Sequence, residues 1–414
     1  MTALLLGAVV LLAYSALSGP LSRRGVTSAM AFVLAGVVLG AASGGSLGIA
    51  LDSAAAEQIT ELALVFLLFT DAARLDLGVL RRSLGWPGRL LLIGLPLTLL
   101  LGLGAGMLLF PDLPLASVFL LSAMLCATDA ALGQRVVEDP AVPGPVRQAL
   151  NVESGLNDGI AVPFFLVSLD ISLATLEGNV GSAVAGAITE QIGWGLVAGV
   201  VMGGAGGYLL RAARARDWFL SGWHQLFTLA VALGAFSAAG TLGGSVFIAA
   251  FVAGMAFRWS SGAGNVETTR FTAEAGSVLA AGTWMIFGSV AVLIALPHIT
   301  WQVIVYAVLS LTVVRMLPVA TAMIGSGARW PTLAFMGWFG PRGLASVVFG
   351  LLAFERETPY ATTLLTTVVV TVGLSVFAHG LTVMPFVAAY QRWFEAHPGN
   401  PRPNPGREPD LPAR

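Results

Sequence analysis

The chain has 414 residues, of which 56% are hydrophobic and only 10% are charged, and its formal net charge is −1. Soluble domains carry about 25% charged residues, so this composition excludes an ordinary soluble protein and predicts an all-α polytopic membrane protein. The balanced charge gives no indication of nucleic-acid binding.

Thirteen apolar segments are long enough, or nearly so, to cross a bilayer as helices. A cleaved signal peptide is the competing interpretation of the first segment, but Arg23 and Arg24 follow the apolar run instead of preceding it. We expect a transmembrane domain over residues 1–394, with an external loop at 171–183, and a disordered cytoplasmic tail over 395–414. The segments are roughly 2–17, 25–43, 57–76, 87–110, 114–138, 145–170, 184–210, 218–238, 242–257, 271–296, 300–324, 331–354 and 360–390.

Arginine placement predicts the orientation of these helices. The even-numbered connections hold essentially no arginine, with Arg356 as the exception, whereas the odd-numbered connections are rich in it. By the positive-inside rule the odd connections face the cytoplasm, so we expect an external N-terminus and a cytoplasmic C-terminus. The arginines of the odd connections are Arg23, Arg24, Arg74, Arg81, Arg82, Arg135, Arg147, Arg211, Arg214, Arg216, Arg258, Arg270 and Arg329.

The fifth and twelfth segments have sequences typical of broken helices. The fifth carries Thr128 and Asp129 among small residues, and the twelfth carries GPRG at residues 340–343. Proline removes a backbone donor, and a Thr-Asp pair can bond local backbone in an unwound turn. We predict two inverted six-helix repeats joined by helix 7, with broken helices 5 and 12 and a transport site near the midplane.

The sixth segment carries polar residues at its centre, namely Glu153, Ser154, Asn157 and Asp158. A spacing of four places Ser154 above Asp158 on one helix face. An ionised carboxylate in hydrocarbon costs roughly 3 kcal/mol or more, so its default interpretation is an ion or proton site. The alternative is a buried ion pair that only joins helices, and this alternative has more weight for Glu153 than for Asp158.

Packing of helices 5 and 6 would create an all-oxygen cation site. Na⁺ favours carboxylate, hydroxyl and carbonyl oxygens. The expected ligands are the Asp158 carboxylate, the Ser154 hydroxyl, an Asp129 oxygen and the Thr128 carbonyl, with water completing the shell.

The remaining charges in the hydrocarbon region need partners. We predict that Arg342 pairs with Glu153, because an unpaired guanidinium at mid-membrane is costly and this pairing leaves Asp158 free. Arg315 is expected at a helix end or bonded to a carbonyl, and Asp71 is expected to be solvated near a helix end.

The motifs ATDAALGQRVVEDPAVP, RQALNVESGLNDGIAVPFF and GWFGPRGLAS resemble the core of the cation:proton antiporter families, in the asparagine–aspartate branch of NhaP-type and NHE-type sodium/proton exchangers. The resemblance covers the whole helical region. It implies a thirteen-helix homodimer with a core transport domain and a dimerisation domain. One departure is Ala130, since a proline commonly follows the TD of this motif, and milder unwinding is therefore expected.

The resemblance also implies residue roles. Asp158 would alternately carry a cation or a proton, and Glu153–Arg342 would be a structural ion pair. The motif match implies co-ligand roles for Thr128, Asp129 and Ser154, and assigns Asn157 to the ND pair.

The predicted function is secondary active exchange of Na⁺ (or Li⁺) for H⁺ by competition at Asp158. A buried aspartate disfavours its charged form, so it is neutralised by either a proton or a cation. Because Asn157 and not a second aspartate precedes Asp158, we expect electroneutral 1:1 exchange, which would change if Asp129 also titrates. K⁺/H⁺ antiport is the alternative on the same fold, and a gated cation channel lined by Asp129 and Asp158 is more remote.

Enzymatic chemistry has little support in the sequence. The chain contains no lysine, no HExxH motif and one cysteine, Cys126, which argues against a Schiff base, a zinc protease site and a disulfide framework. We expect no enzymatic activity, no cofactor and a role in pH homeostasis in the bacterial inner membrane. The four histidines are interpreted as loop or packing residues; they are His224, His298, His379 and His397.

Overall fold

The computed structural model describes residues 2–43, 53–75, 85–177, 180–220, 222–262 and 266–397, and all regular structure in these ranges is helical. The helices, labelled in chain order, are α1 (Thr2–Arg23), α2 (Ser28–Ala42), α3 (Ser53–Arg74), α4 (Trp86–Leu109), α5a (Leu115–Met124), α5b (Ala130–Glu138), α6 (Gly144–Glu177), α7 (180–214), α8 (Trp223–Leu242), α9 (Val246–Ser261), α10 (266–298), α11 (Trp301–Ala322), α12a (Trp330–Trp338), α12b (Leu344–Glu355) and α13 (Ala361–Glu395).

Helical structure occurs in each of the thirteen predicted segments. Among the described residues, eight helices are long and apolar enough to cross a membrane, and shorter apolar helices add to them. The predicted external loop at 171–183 is wrong over its described residues, because α6 continues to Glu177 and α7 begins at residue 180. Its sequence ISLATLE contains neither glycine nor proline, and the Thr175 hydroxyl donates to the Ser172 carbonyl at 2.6 Å within the helix.

Two sequence predictions fall partly outside the described residues. The predicted disordered tail over 395–414 begins at the end of α13, and its residues 398–414 are not among those described. Arg81 and Arg82, which contributed to the orientation argument, also lie outside the described residues.

Several odd-numbered connections contact one another, as expected if they share one side of the membrane. Arg135 donates to the Ser22 hydroxyl and to the Val26 carbonyl, each at 3.0 Å. Arg214 donates to the Thr268 hydroxyl at 2.7 Å.

Both predicted helix breaks are confirmed. The fifth helix is unwound from Leu125 to Asp129 although no proline is present. Asp129 adopts an extended backbone and accepts a hydrogen bond from the Leu132 amide, so it acts as the N-cap of α5b. The twelfth helix is interrupted between Trp338 and Leu344, where Pro341 cannot donate a backbone hydrogen bond.

A row of glycines on α7 packs directly against α9. Gly195, Gly199, Gly203 and Gly207 recur every four residues and therefore share one face of α7. On that face a methyl group would collide with α9 backbone atoms, including the carbonyls of Ser245, Ala249, Ala253 and Phe257. The absent side chains let the two helix backbones approach directly, which is a common form of helix packing in membranes.

We predict that Gly203→Ala lowers the thermal stability of the protein in detergent. The new methyl would overlap the Ala253 backbone, and overpacking of this kind typically costs about 1–3 kcal/mol. The adjacent Gly204, which has open space around its Cα, provides the control, and Gly204→Ala should leave Tm unchanged or slightly raised. Equal Tm values for the two variants would contradict direct backbone packing.

Candidate functional site

The two helix breaks meet at Asp129. Its backbone amide donates to the Pro341 carbonyl at 2.8 Å. Its carboxylate accepts the Leu132 amide at 2.9 Å and the Leu344 amide at 2.7 Å, one on each oxygen. Asp129 therefore lies at the N-termini of both α5b and α12b, where a negative charge is favoured by the helix dipoles. Gly343 has no side chain that would collide with this carboxylate.

Arg342 lies at the other side of the helix 5 break, next to the C-terminus of α5a. It is fully buried, and its Nη1 donates to the Cys126 and Ala127 carbonyls at 2.9 Å each, just beyond the C-terminus of α5a. A positive charge at this end offsets the partial negative charge of the terminal carbonyls. The Nε and Nη2 atoms of Arg342 have no hydrogen-bond partner among the described residues.

The expected Glu153–Arg342 ion pair is wrong, because Glu153 pairs with Arg315. The two Nη atoms of Arg315 donate to the two carboxylate oxygens of Glu153 at 2.7 Å each, and both side chains are buried. Arg315 reaches this position by crossing Gly340, where any side chain would overlap its guanidinium. Arg315 and Arg342 both lie in predicted membrane-spanning segments, so the sequence alone does not identify the partner of Glu153. That partner depends on how α11 packs against the break in helix 12.

Polar side chains from the fifth and sixth helices form one hydrogen-bonded cluster. Asn157 Nδ2 donates to Thr128 Oγ1 at 3.1 Å and to Glu153 Oε1 at 3.2 Å. The Thr128 hydroxyl also lies 3.4 Å from Glu153 Oε1 and 3.5 Å from Ser154 Oγ. The structure thus brings together four of the predicted polar residues, namely Thr128, Glu153, Ser154 and Asn157. Asn157 and Glu153 fix the position of the Thr128 hydroxyl.

Asp158 is the carboxylate that this network leaves unpaired. Its Oδ1 atom is buried and has no hydrogen-bond partner, and no ion pair involving Asp158 occurs within the described ranges. The side chain as a whole is half-buried. The negative charges of Asp129, Asp71 and Glu153 are close enough to repel its own, so a cation or a proton would stabilise it.

Asp71 is a candidate site residue that the sequence interpretation missed. We expected it to be solvated, but it lies half-buried on α3 and faces α6 at Gly155, where an added Cβ would be 3.9 Å from the Asp71 Cβ. Its position at the end of the apolar run LALVFLLFT was the available signal. The sequence did not show that Asp71 faces α6, because that contact joins two helices that are distant in the chain.

A small cavity runs between α5b and α6 and reaches Ser154, with Phe339 at its edge. On the α5b side the cavity is lined by Ala130, Gly133 and Val137. The arrangement combines an unpaired carboxylate with hydroxyl oxygens, which suits a monovalent cation or a proton. No group of three or more His, Cys, Asp or Glu side chains among the described residues is placed to hold a metal ion.

We predict that Arg315→Leu strongly destabilises the protein, because it leaves a buried Glu153 charge without a partner. Removing one member of a buried ion pair costs about 3–5 kcal/mol. The double variant E153Q/R315L keeps an acceptor for Asn157 and Thr128 but has no buried charge, so most of the lost Tm should return. Breaking the exposed Arg270–Glu274 pair with Arg270→Ala is the control and should not change Tm. Equal Tm losses in R315L and E153Q/R315L would contradict this interpretation of the ion pair.

Comparisons with known proteins agree with this architecture. The Na(+)/H(+) antiporter 2 of Zygosaccharomyces rouxii is 31% identical over 265 residues, which are 58% of this chain and 31% of that protein. The K(+)/H(+) antiporter NhaP2 of Shewanella sp. (strain ANA-3) is 29% identical over 256 residues, which are 61% of this chain and 43% of that protein. The chain therefore spans less than half the length of either relative.

Two further comparisons cover nearly the whole chain and identify its fold and family. The structure of the sodium proton antiporter MjNhaP1 from Methanocaldococcus jannaschii aligns with a TM-score of 0.74, covering 94% of this chain and 99% of that chain at 18% identity. The family model described as "Sodium/hydrogen exchanger, transmembrane" matches residues 7–389. The resemblance inferred from the sequence motifs is confirmed, and the chain belongs to the transmembrane sodium/hydrogen exchanger family.

Proposed function

We propose that this multi-pass membrane protein exchanges Na⁺ (or Li⁺) for H⁺ by competition of the two ions at Asp158. The observation that carries the proposal is the buried Oδ1 of Asp158, which has no hydrogen-bond partner among the described residues, whereas the side chains of Glu153, Arg342 and Asp129 each have one. A carboxylate without a protein cation is stabilised by binding an ion from solution. The family and the relatives named as antiporters agree with this chemistry.

The cation ligands in this proposal are oxygens on both sides of the helix 5 break. The Asp158 carboxylate and the Ser154 hydroxyl come from α6, and the Thr128 carbonyl and an Asp129 oxygen come from the unwound segment. Each Asp129 oxygen accepts one backbone amide and keeps lone pairs for an ion. Asp71 faces the same region from α3 and adds a second carboxylate.

Competition at one carboxylate couples the two fluxes. Asp158 binds no cation when it is protonated and needs one when it is not, so the transport domain moves only in a neutralised form. Exchange of one Na⁺ for one H⁺ moves no net charge. In this proposal Asp129 remains ionised, because each of its oxygens accepts a backbone amide at a helix N-terminus, where a negative charge is favoured.

The test of this function is proton flux in proteoliposomes driven in turn by Na⁺, Li⁺ and K⁺ at several pH values. Asp158→Asn should abolish exchange with every cation, because the amide can be neither ionised nor protonated, and the variant should stay folded. Asp170→Asn is the matched control. Asp170 lies on the same helix three turns away and accepts a hydrogen bond from Gln191, so its variant should transport. Na⁺-driven proton flux in Asp158→Asn would rule out the proposed site.

The electroneutral stoichiometry has its own test. We predict that the initial rate of exchange does not change when a K⁺ diffusion potential of either sign is imposed across the liposome membrane with valinomycin, with Na⁺ as the driving ion. In this mechanism one carboxylate titrates, and it is neutralised whenever the transport domain crosses in either direction. The membrane potential therefore has no net charge to act on. A rate that rises with one polarity and falls with the other would require a second titrating group, for which Asp71 is the candidate.

K⁺/H⁺ antiport is the second candidate function, and the similarity to a protein named as a K⁺/H⁺ antiporter favours it. Selectivity depends on cavity size and on the number of ligands. The same series of driving cations separates the two functions, since a K⁺/H⁺ antiporter would respond to K⁺ more strongly than to Na⁺.

We also propose a homodimer in a bacterial inner membrane, with the N-terminus outside, the C-terminus in the cytoplasm and a role in pH homeostasis. The contacts of Arg135 with Ser22 and of Arg214 with Thr268 support the orientation, because they join odd-numbered connections that the positive-inside rule places together.

A further inference from the structure

One face of α13 holds the break in helix 12 through three side chains, Ser375, His379 and Thr382. The Ser375 hydroxyl accepts the Arg342 backbone amide at 2.8 Å. The Thr382 hydroxyl accepts the Trp338 indole N–H at 2.9 Å. The spacing of four and then three residues places all three side chains on one helix face.

His379 completes this contact at the Trp338 carbonyl. Its Nε2 lies 2.8 Å from the Trp338 oxygen, and its ring packs against the Trp338 indole with 5.0 Å between the ring centroids. A carbonyl only accepts hydrogen bonds, so Nε2 carries the proton. His379 is therefore the donor that holds the C-terminal end of α12a.

The other nitrogen of the ring links His379 to the far side of the break. Nδ1 lies 3.2 Å from the Ser375 hydroxyl, which also accepts the Arg342 amide. The contacts form a chain from the Arg342 amide through Ser375 and His379 to the Trp338 carbonyl.

Nδ1 also lies 2.8 Å from the Ser375 carbonyl. The His379 side chain is buried, and both ring nitrogens lie within hydrogen-bond distance of protein atoms. These contacts fix the orientation of the ring and direct Nε2 at the Trp338 carbonyl.

The chain of hydrogen bonds fixes residues that position the candidate cation site. Between its two ends lies Pro341, whose carbonyl accepts the Asp129 amide. One residue beyond Gly343, the Leu344 amide donates to the Asp129 carboxylate. A displacement of the break would therefore move Asp129 and the adjacent Thr128 relative to Asp158.

We propose that His379 is a positioning residue for the cation site, acting as an Nε2–H donor that holds the two sides of the helix 12 break together. This inference rests on the proposed exchange function. It goes beyond the sequence-based interpretation of His379 as a loop or packing residue, because the proposed role depends on a directed hydrogen bond.

The test compares His379→Gln with His379→Leu in the proteoliposome assay. The Gln amide can place an N–H near the position of Nε2, whereas Leu fills the space without a donor. We expect the Gln variant to keep the KM for the driving cation within about twofold and to keep the pH profile, while the Leu variant raises KM about tenfold, as expected for one lost hydrogen bond. A Leu variant with unchanged KM, or a Gln variant as impaired as Leu, would overturn the proposal. A shifted pH profile in the Gln variant would also overturn it, since the ring would then titrate during exchange.

A second pair of variants keeps the proposal testable if His379→Leu does not fold. Ser375→Ala removes the acceptor of the Arg342 amide and should raise KM. Thr371→Val removes a buried hydroxyl one turn earlier, which bonds only its own helix at the Thr367 carbonyl, and should leave KM unchanged. The same KM in both variants would overturn the proposal. Absence of exchange in the unmodified protein with all three cations would instead reject the proposed function itself.

Discussion

The central constraint on this protein is that two interrupted helices cross inside an apolar chain. Each interruption leaves backbone amides and carbonyls that bulk water cannot satisfy at membrane depth. Asp129 satisfies amides at two helix N-termini, and Arg342 satisfies carbonyls beyond a helix C-terminus. The crossing therefore has a negative charge where the helix dipoles are positive and a positive charge where they are negative.

The acidic side chains near the two breaks differ in their partners. Glu153 is held by Arg315 in a bidentate pair, and the Asp129 carboxylate is held by backbone amides. In the part of the chain that the structure describes, the buried Oδ1 of Asp158 has no such partner, although Asp158 lies next to the same polar cluster. In the function proposed above, an ion from solution neutralises the charge of Asp158. The proposed exchanging residue and the paired Glu153 are then separate residues of α6, five positions apart.

The sequence predicted the features that depend on local signals. GPRG and the Thr128-Asp129 pair identified both breaks, and the apolar surroundings of Asp158 identified the unpaired carboxylate. The sequence failed where the answer depends on contacts between distant helices. The partner of Glu153 was assigned to Arg342 because the path of Arg315 over Gly340 has no local signal. Asp71 was missed for the same reason, since its position beside Gly155 depends on the packing of α3 against α6.

The contact between the two helix breaks has a consequence for biosynthesis. Asp129 and Leu344 are 215 residues apart in the chain. At ribosomal speeds of about 5–20 residues per second, the second partner emerges about 10–40 seconds after the first. During that interval the Asp129 amide and one carboxylate oxygen lack their final partners. The contacts that Asp129 makes with helix 12 therefore form only after helix 12 has been synthesised and inserted.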